Sequence, residues 1–152
     1  MPDEPRREKI MAAVADQLAT IAGPPRYWTT PVLITRGLLG PEQYEAELRL
    51  GPVLGVMRAS GSTITPLTQT SVEHRALVAV VGYVRGDTQA LAATWLERLY
   101  DDVRACLRED AHLGGLALDV RPEGPLLTDD GLWEPDAGFE QLYLVRFVES
   151  AG

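Results

Sequence analysis

The segment VEHRALVAVVGYVR at residues 72–85 decides the predicted fold of this chain. Successive side chains of an extended backbone point to opposite sides. Both sides are apolar in this segment, where Leu77, Ala79, Val81 and Tyr83 alternate with Val78, Val80, Gly82 and Val84. Apolar residues on both sides are typical of a strand in the middle of a sheet. We therefore predict a central strand that is packed on both faces.

An amphipathic helix is predicted before this strand, at residues 5–22. Ile10, Val14, Leu18 and Ile21 recur at helical spacing, and Pro5 suits a first helical turn. The sequence Gly-Pro-Pro at residues 23–25 should end the helix.

A second amphipathic helix should follow the central strand. Asp87 or Thr88 is placed to cap its free amides. Its apolar stripe, which includes one tryptophan that we expect in the core, is Leu91, Trp95, Leu99, Val103 and Leu107. Cys106 adjoins this stripe, so we interpret it as a buried structural cysteine rather than a nucleophile.

The remaining segments predict further strands joined by loops. Residues 53–58, 116–121 and 139–149 have strand patterns. Residues 59–71 are rich in Gly, Ser and Thr, and are either a mobile loop or the tip of a long hairpin. Residues 122–138 contain several Pro, Gly and acidic residues, so we predict a surface loop there.

The order of these segments predicts an α+β fold. Prolines interrupt residues 23–52, where only a short helix at 41–48 and a short extended piece near 32–34 are expected. We predict a single antiparallel, or alternatively mixed, sheet of about four strands flanked by two long helices. The length of 152 residues is that of one domain, so residues 1–152 are interpreted as a single unit.

The composition argues against several classes of partner and location. A net charge of -8 disfavours binding to nucleic-acid phosphates or to anionic lipid. The single cysteine excludes an intrachain disulfide. No apolar run approaches the roughly 20 residues of a membrane helix, and the acidic start lacks the basic region of a signal peptide, so we expect a cytoplasmic protein.

The sequence predicts no catalytic, cofactor or metal site. His74 and His112 are far apart in sequence and lack ligand-spaced partners. Asp129 and Asp130 have the composition of a turn on a solvated surface. The less favoured alternative is a metal-assisted hydrolase in which these four residues converge.

Two tryptophans in loops leave two interpretations open. Trp28 and Trp133 lie in Pro/Gly-rich segments. Aromatic side chains in such places either fold back onto their own domain or anchor an interface with a partner.

The order of segments resembles a known family. A helix containing residues 7–14 is followed by a Pro-rich segment with Tyr27 and Trp28, a strand at 74–84, a helix ending at 107–115 and a closing strand. This pattern is similar to that of phage tail terminators, also known as minor tail protein U-like or tail completion proteins. The resemblance covers nearly the whole chain, and it is one of pattern and order without an invariant motif.

The resemblance implies a structural role in a virion. Members form a sixfold ring that caps the tail tube, stops its polymerisation and offers a surface to the head–tail connector. The implied partners are copies of the chain itself, the tail tube protein and the connector protein, first in the host cytoplasm and then in the virion tail. The two long loops supply candidate interface residues, and with Trp28 these are Ser60, Ser62, Thr65, Asp129, Asp130 and Trp133.

Two other classes remain open from the sequence. One is a different head–tail joining protein, such as a connector or stopper. The other is a small ligand-binding or regulatory α+β domain.

Overall fold

The computed structural model describes residues 2, 4–129 and 135–150. Its α-helices are α1 (Arg6–Leu18), α2 (Glu45–Leu48) and α3 (Ala92–Glu109), with short 3₁₀ turns at Pro41–Tyr44 and Leu113–Gly115. Its strands are β1 (Leu33–Thr35), β2 (Val53–Arg58), β3 (Thr63–Pro66), β4 (Ser71–Arg85), β5 (Asp119–Asp129) and β6 (Asp136–Ser150). The chain is α+β, as predicted.

All six strands belong to one mixed sheet, in the order β1-β2-β4-β6-β5. β1 is parallel to β2, and the other pairs are antiparallel. β3 pairs with the first residues of β4, on the same side as β2, so that β2 and β3 lie end to end along β4. The prediction that residues 72–85 form a central strand is confirmed.

Both long helices pack on one face of the sheet. Val78, Val80 and Val84 of β4 join the core there with Phe139 and Phe147 of β6. The helices contribute Ile10, Val14, Leu18, Leu96, Leu99 and Val103 to the same cluster. Burial of large aliphatic and aromatic side chains is the main term that favours folding, so this interface is the source of most of the stability.

The opposite face of β4 is apolar but carries neither long helix. Leu38 lies over Gly55 at one end of this face, and the Tyr83 hydroxyl donates to the carbonyl oxygen of Leu39. Leu77 and Val81 are only half-buried. The prediction that β4 is packed on both faces is therefore confirmed for the face that carries the helices. The opposite face is only partly covered, by loop residues.

The sheet has six strands rather than the predicted four or so. The prediction of a surface loop at 122–138 is wrong at both ends, because β5 continues to Asp129 and pairs with β6, and β6 already begins at Asp136. Pro122 and Pro125 are tolerated there because β5 is an edge strand. The backbone positions on its outer side form no hydrogen bonds with another strand, so a residue without an N–H group costs nothing there. At residues 59–71, the alternative of a hairpin tip is the correct one, since β3 folds back on β4.

The helix limits also differ from the predictions. α1 ends at Leu18, although Ile21 is still buried in the turn that follows. α3 begins at Ala92, and Asp87 does not cap it; the Asp87 carboxyl instead accepts hydrogen bonds from the amides of Gln89 and Ala90. Leu91 therefore lies outside the apolar stripe and is 72% exposed, contrary to prediction.

Candidate functional site

The described interface candidates lie near the two ends of β4 rather than in one place. Ser60, Ser62 and Thr65 belong to the β3–β4 hairpin, which pairs with the first residues of β4. Trp28 lies beside the last residues of β4, and Asp129 is also at that end because it pairs with β6 at Gly138. Asp130 and Trp133 lie outside the described residues.

The hairpin arm, defined here as residues 60–71, is the most exposed part of the described chain. Its residues from 63 to 70 are all exposed, including Ile64 and Leu67 at 58% and 50%. Ser62 is an exception, because its hydroxyl accepts a hydrogen bond from the Leu77 amide and so ties the arm to β4. The turn is closed by its own backbone, where the amide of Leu67 donates to the carbonyl of Ser71.

The hairpin arm carries no charge. No charged residue lies between Arg58 and Glu73, the longest uncharged run in a chain of which 24% is charged. Interface cores are depleted of charged residues, whereas ordinary exposed surfaces are rich in them. An exposed, uncharged arm with two large aliphatic side chains therefore has the chemistry of a contact surface.

A groove of about 410 Å³ opens at the other end of β4. Leu48 and Val84 are buried there, and Trp28 and Leu50 stand at its rim, 58% and 80% exposed. Trp95 of α3 also lines the groove. We refer to this feature as the Trp28 groove.

A buried carboxyl group positions the wall of the Trp28 groove. Asp102 of α3 is 2% exposed and accepts hydrogen bonds from the amides of Trp28 and Thr29, at 3.0 and 2.7 Å. The Thr29 hydroxyl donates to the same carboxyl group at 2.6 Å. These three bonds fix the irregular segment that presents Trp28 onto the long helix.

The Trp28 side chain packs against the side chain of an arginine. The Arg98 guanidinium lies 5.2 Å from the ring centre of Trp28 and 4.8 Å from that of Trp95. Both distances are within the range of a cation–π contact. The Trp28 ring therefore contacts its own domain through Arg98, while more than half of the residue is exposed; the interpretation that it anchors a partner stays a prediction.

Ion pairs stabilise the end of the sheet that lies next to the Trp28 groove. The Arg85 guanidinium donates to both oxygens of Glu45 at 3.0 and 2.7 Å, and to Asp136 at 2.7 Å. Arg85 and Arg49 lower the pKa of Glu45 from 4.5 to about 2, chiefly through the Arg85 hydrogen bonds. This network joins α2 to the last residues of β4 and the first of β6.

The Glu45 carboxyl group is expected to titrate with a midpoint of about 2. Its pKa is lowered in the folded chain, so its contribution to folding is complete above the ordinary value of 4.5 and is lost as the pH falls towards 2. Arg85→Met should return the midpoint most of the way to 4.5, whereas Arg49→Met should shift it less. Side-chain carboxyl NMR measures the midpoint, and a value near 4.5 in the unaltered chain would contradict the prediction.

The two histidines have separate surroundings. His74 lies in β4, where it stacks on Phe147 at 4.6 Å and its Nε2 is 2.8 Å from Glu149. His112 is exposed at the end of α3. Over residues 2, 4–129 and 135–150, no three His, Cys, Asp or Glu side chains are grouped so that they could hold a metal ion.

Cys106 is buried, as predicted. Its thiol donates to the carbonyl oxygen of Gln17 at 3.0 Å, which links α3 to α1. Burial raises the pKa of this thiol, so the reactive thiolate is disfavoured.

The sequence analysis missed residues at the Trp28 groove. Leu50 on the groove and Arg98 against the Trp28 ring had no sequence pattern that separated them from core or solvent positions. The signal in the sequence that points to the hairpin arm is its lack of charge, which composition by segment would have detected.

Compared with known proteins, the chain matches no protein-family model and no curated sequence. Among the described residues, no helix is both long and apolar enough to cross a lipid bilayer.

Proposed function

We propose that this chain is a structural subunit of a ring that caps a phage tail tube, stops its polymerisation and joins the tube to the head–tail connector. The observation that carries the proposal is the distribution of exposed apolar side chains. Among the described residues, Ile64 and Leu67 are exposed on the hairpin arm and Trp28 and Leu50 are exposed at the Trp28 groove, so two exposed apolar surfaces lie near opposite ends of β4. A subunit of a closed ring needs two different contact surfaces of this kind.

The arrangement of charge supports the same function. Arginines near both ends of the sheet are paired with carboxyl groups on neighbouring strands, such as Arg146 with Asp119 and Arg85 with Asp136. These pairs join strands within the chain, and the net charge stays at -8. An acidic ring does not bind DNA phosphates, because both are negatively charged, so it suits a channel through which DNA passes.

The proposal is tested by tube assembly. A tube protein encoded beside the gene for this chain would be polymerised with and without the purified chain, and tube lengths would be measured in negative-stain images. We expect tubes with a narrow length distribution and a ring-shaped cap at one end. An unrelated acidic protein of similar mass is the control.

Tubes that stay uncapped and unlimited in length would contradict the proposal. Binding to the connector without any effect on tube length would instead favour a connector or stopper. Mass measurement of the capped ends would test the sixfold stoichiometry that the family resemblance implies.

A further inference from the structure

We infer that the hairpin arm of one copy inserts into the Trp28 groove of the next copy and that this contact joins the subunits of the ring. The inference rests on the proposed ring function. It adds the partner of each surface, which the resemblance does not specify.

The placement of the two surfaces fits a head-to-tail contact. Ile64 of the arm pairs with position 74 of β4, whereas the groove begins at Val84. A strand rises about 3.4 Å per residue, so roughly 30 Å separates the arm from the groove. An exposed arm and a groove this far apart on one subunit cannot meet each other, but they can meet on neighbouring subunits and join them head to tail.

Charge makes the arm the favoured occupant of the groove. Each copy carries a net charge of -8, and like charges that face each other across an interface oppose association. The arm brings no charged side chain, because none lies between Arg58 and Glu73. It is therefore a surface that a second copy can present without charge repulsion.

The chemistry of the contact residues is also matched. Ile64 and Leu67 supply aliphatic side chains, and Trp28 and Leu50 supply an exposed apolar rim. Tryptophan is among the residues that contribute most to binding when an interface covers it. Thr65 is exposed on the arm, and its hydroxyl group can form a hydrogen bond with the polar part of the groove, whereas the Thr68 hydroxyl is already bonded to Ser71 and to the Thr70 amide within the arm.

The competing sheet edge is protected against strand pairing. β5 carries Pro122 and Pro125 together with charged Arg121 and Glu123 and a register shift after Glu123. Proline, charge and bulges are the features by which edge strands avoid pairing with other chains. The arm, in contrast, has threonine and isoleucine at its edge and proline only at Pro66.

Disulfide trapping tests the contact. In the Leu50→Cys/Ile64→Cys chain, the two altered positions are too far apart for an intrachain bond, since bonded cysteines need Cα atoms within about 7 Å. The native Cys106 is buried and does not compete. We expect mild oxidation at high protein concentration to give a ladder of linked chains that ends at a closed ring and disappears on reduction.

The matched control is the Leu118→Cys/Ile64→Cys chain. Leu118 is also an exposed leucine, 47% exposed, but it lies at the start of β5 and away from the groove. We expect at least a tenfold smaller yield of linked chains from this pair. No linking, or equal linking from the two pairs, would overturn the inference.

The outcomes separate this inference from the proposed function. If the unaltered chain caps tubes but positions 50 and 64 do not link selectively, the arm contact is wrong and the tail function stands. If they link selectively but tube length is unlimited, the arm contact stands as self-assembly and the tail function is wrong.

Discussion

Replacing Asp102 with alanine is expected to lower the free energy of unfolding by about 3 kcal/mol. The substitution removes the acceptor for the amides of Trp28 and Thr29 and for the Thr29 hydroxyl. Thr29 is 4% exposed, so its donors would have no water to replace the lost partner. A buried donor left without a partner costs more than the hydrogen bond itself contributed.

Urea unfolding of matched variants measures this effect. Asp101→Ala is the control, because Asp101 is the neighbouring position on the exposed side of α3. The loss of unfolding free energy in Asp102→Asn should lie between those of Asp102→Ala and Asp101→Ala. Asparagine keeps the shape and one acceptor oxygen, but its amide group places a donor next to other donors. A loss below about 0.5 kcal/mol for Asp102→Ala, the range of ordinary surface changes, would contradict the structure of this segment.

Replacing Gly82 with alanine is expected to cost about 3 kcal/mol through overpacking. An added Cβ atom would lie 2.4 Å from Cε1 of Phe139 and 2.9 Å from Cδ2 of Leu99. Both neighbours are buried between the sheet and α3, so neither ring nor side chain has free space to move into. The core must shift or the strand must move away from the helix.

Thermal unfolding with two further variants tests this cause. Gly37→Ala is the control, because an added Cβ at Gly37 meets nothing within 4 Å. Phe139→Leu should destabilise the unaltered chain but much less so the Gly82→Ala chain, giving a coupling of about 1 kcal/mol or more. Additive effects would show that the clash with Phe139 is not the reason for glycine at this position.

The long amphipathic elements were predictable because their patterns repeat. β4 and β6 alternate, and the stripes of α1 and α3 recur every three to four residues, so each buried face follows from the sequence. The errors occurred where the pattern was short or interrupted. The strand predicted at residues 116–121 matches the start of β5, but the rest of β5 was missed because its prolines are typical of a loop, although they are tolerated on an edge strand.

The candidate surfaces were predictable only in part. The hairpin arm was recognised as either a loop or a hairpin, and Trp28 as either packed or free, because a single residue in a loop carries no periodicity. Whether each of them packs or stays exposed depends on which residues of the chain it contacts, and those residues are distant in sequence. Trp28 is fixed through Asp102 and Arg98, which lie seventy or more positions away in the sequence.

The sequence by itself determined the α+β class, the central strand, the two amphipathic helices and the burial of Cys106. Each of these depends on local spacing of apolar residues, which is written directly in the order of the chain. Only the tertiary structure decided that both long helices share one face and that the arm and the groove lie near opposite ends of β4. Those features depend on which strands become neighbours, and strand order is set by the packing of the whole sheet rather than by any single segment.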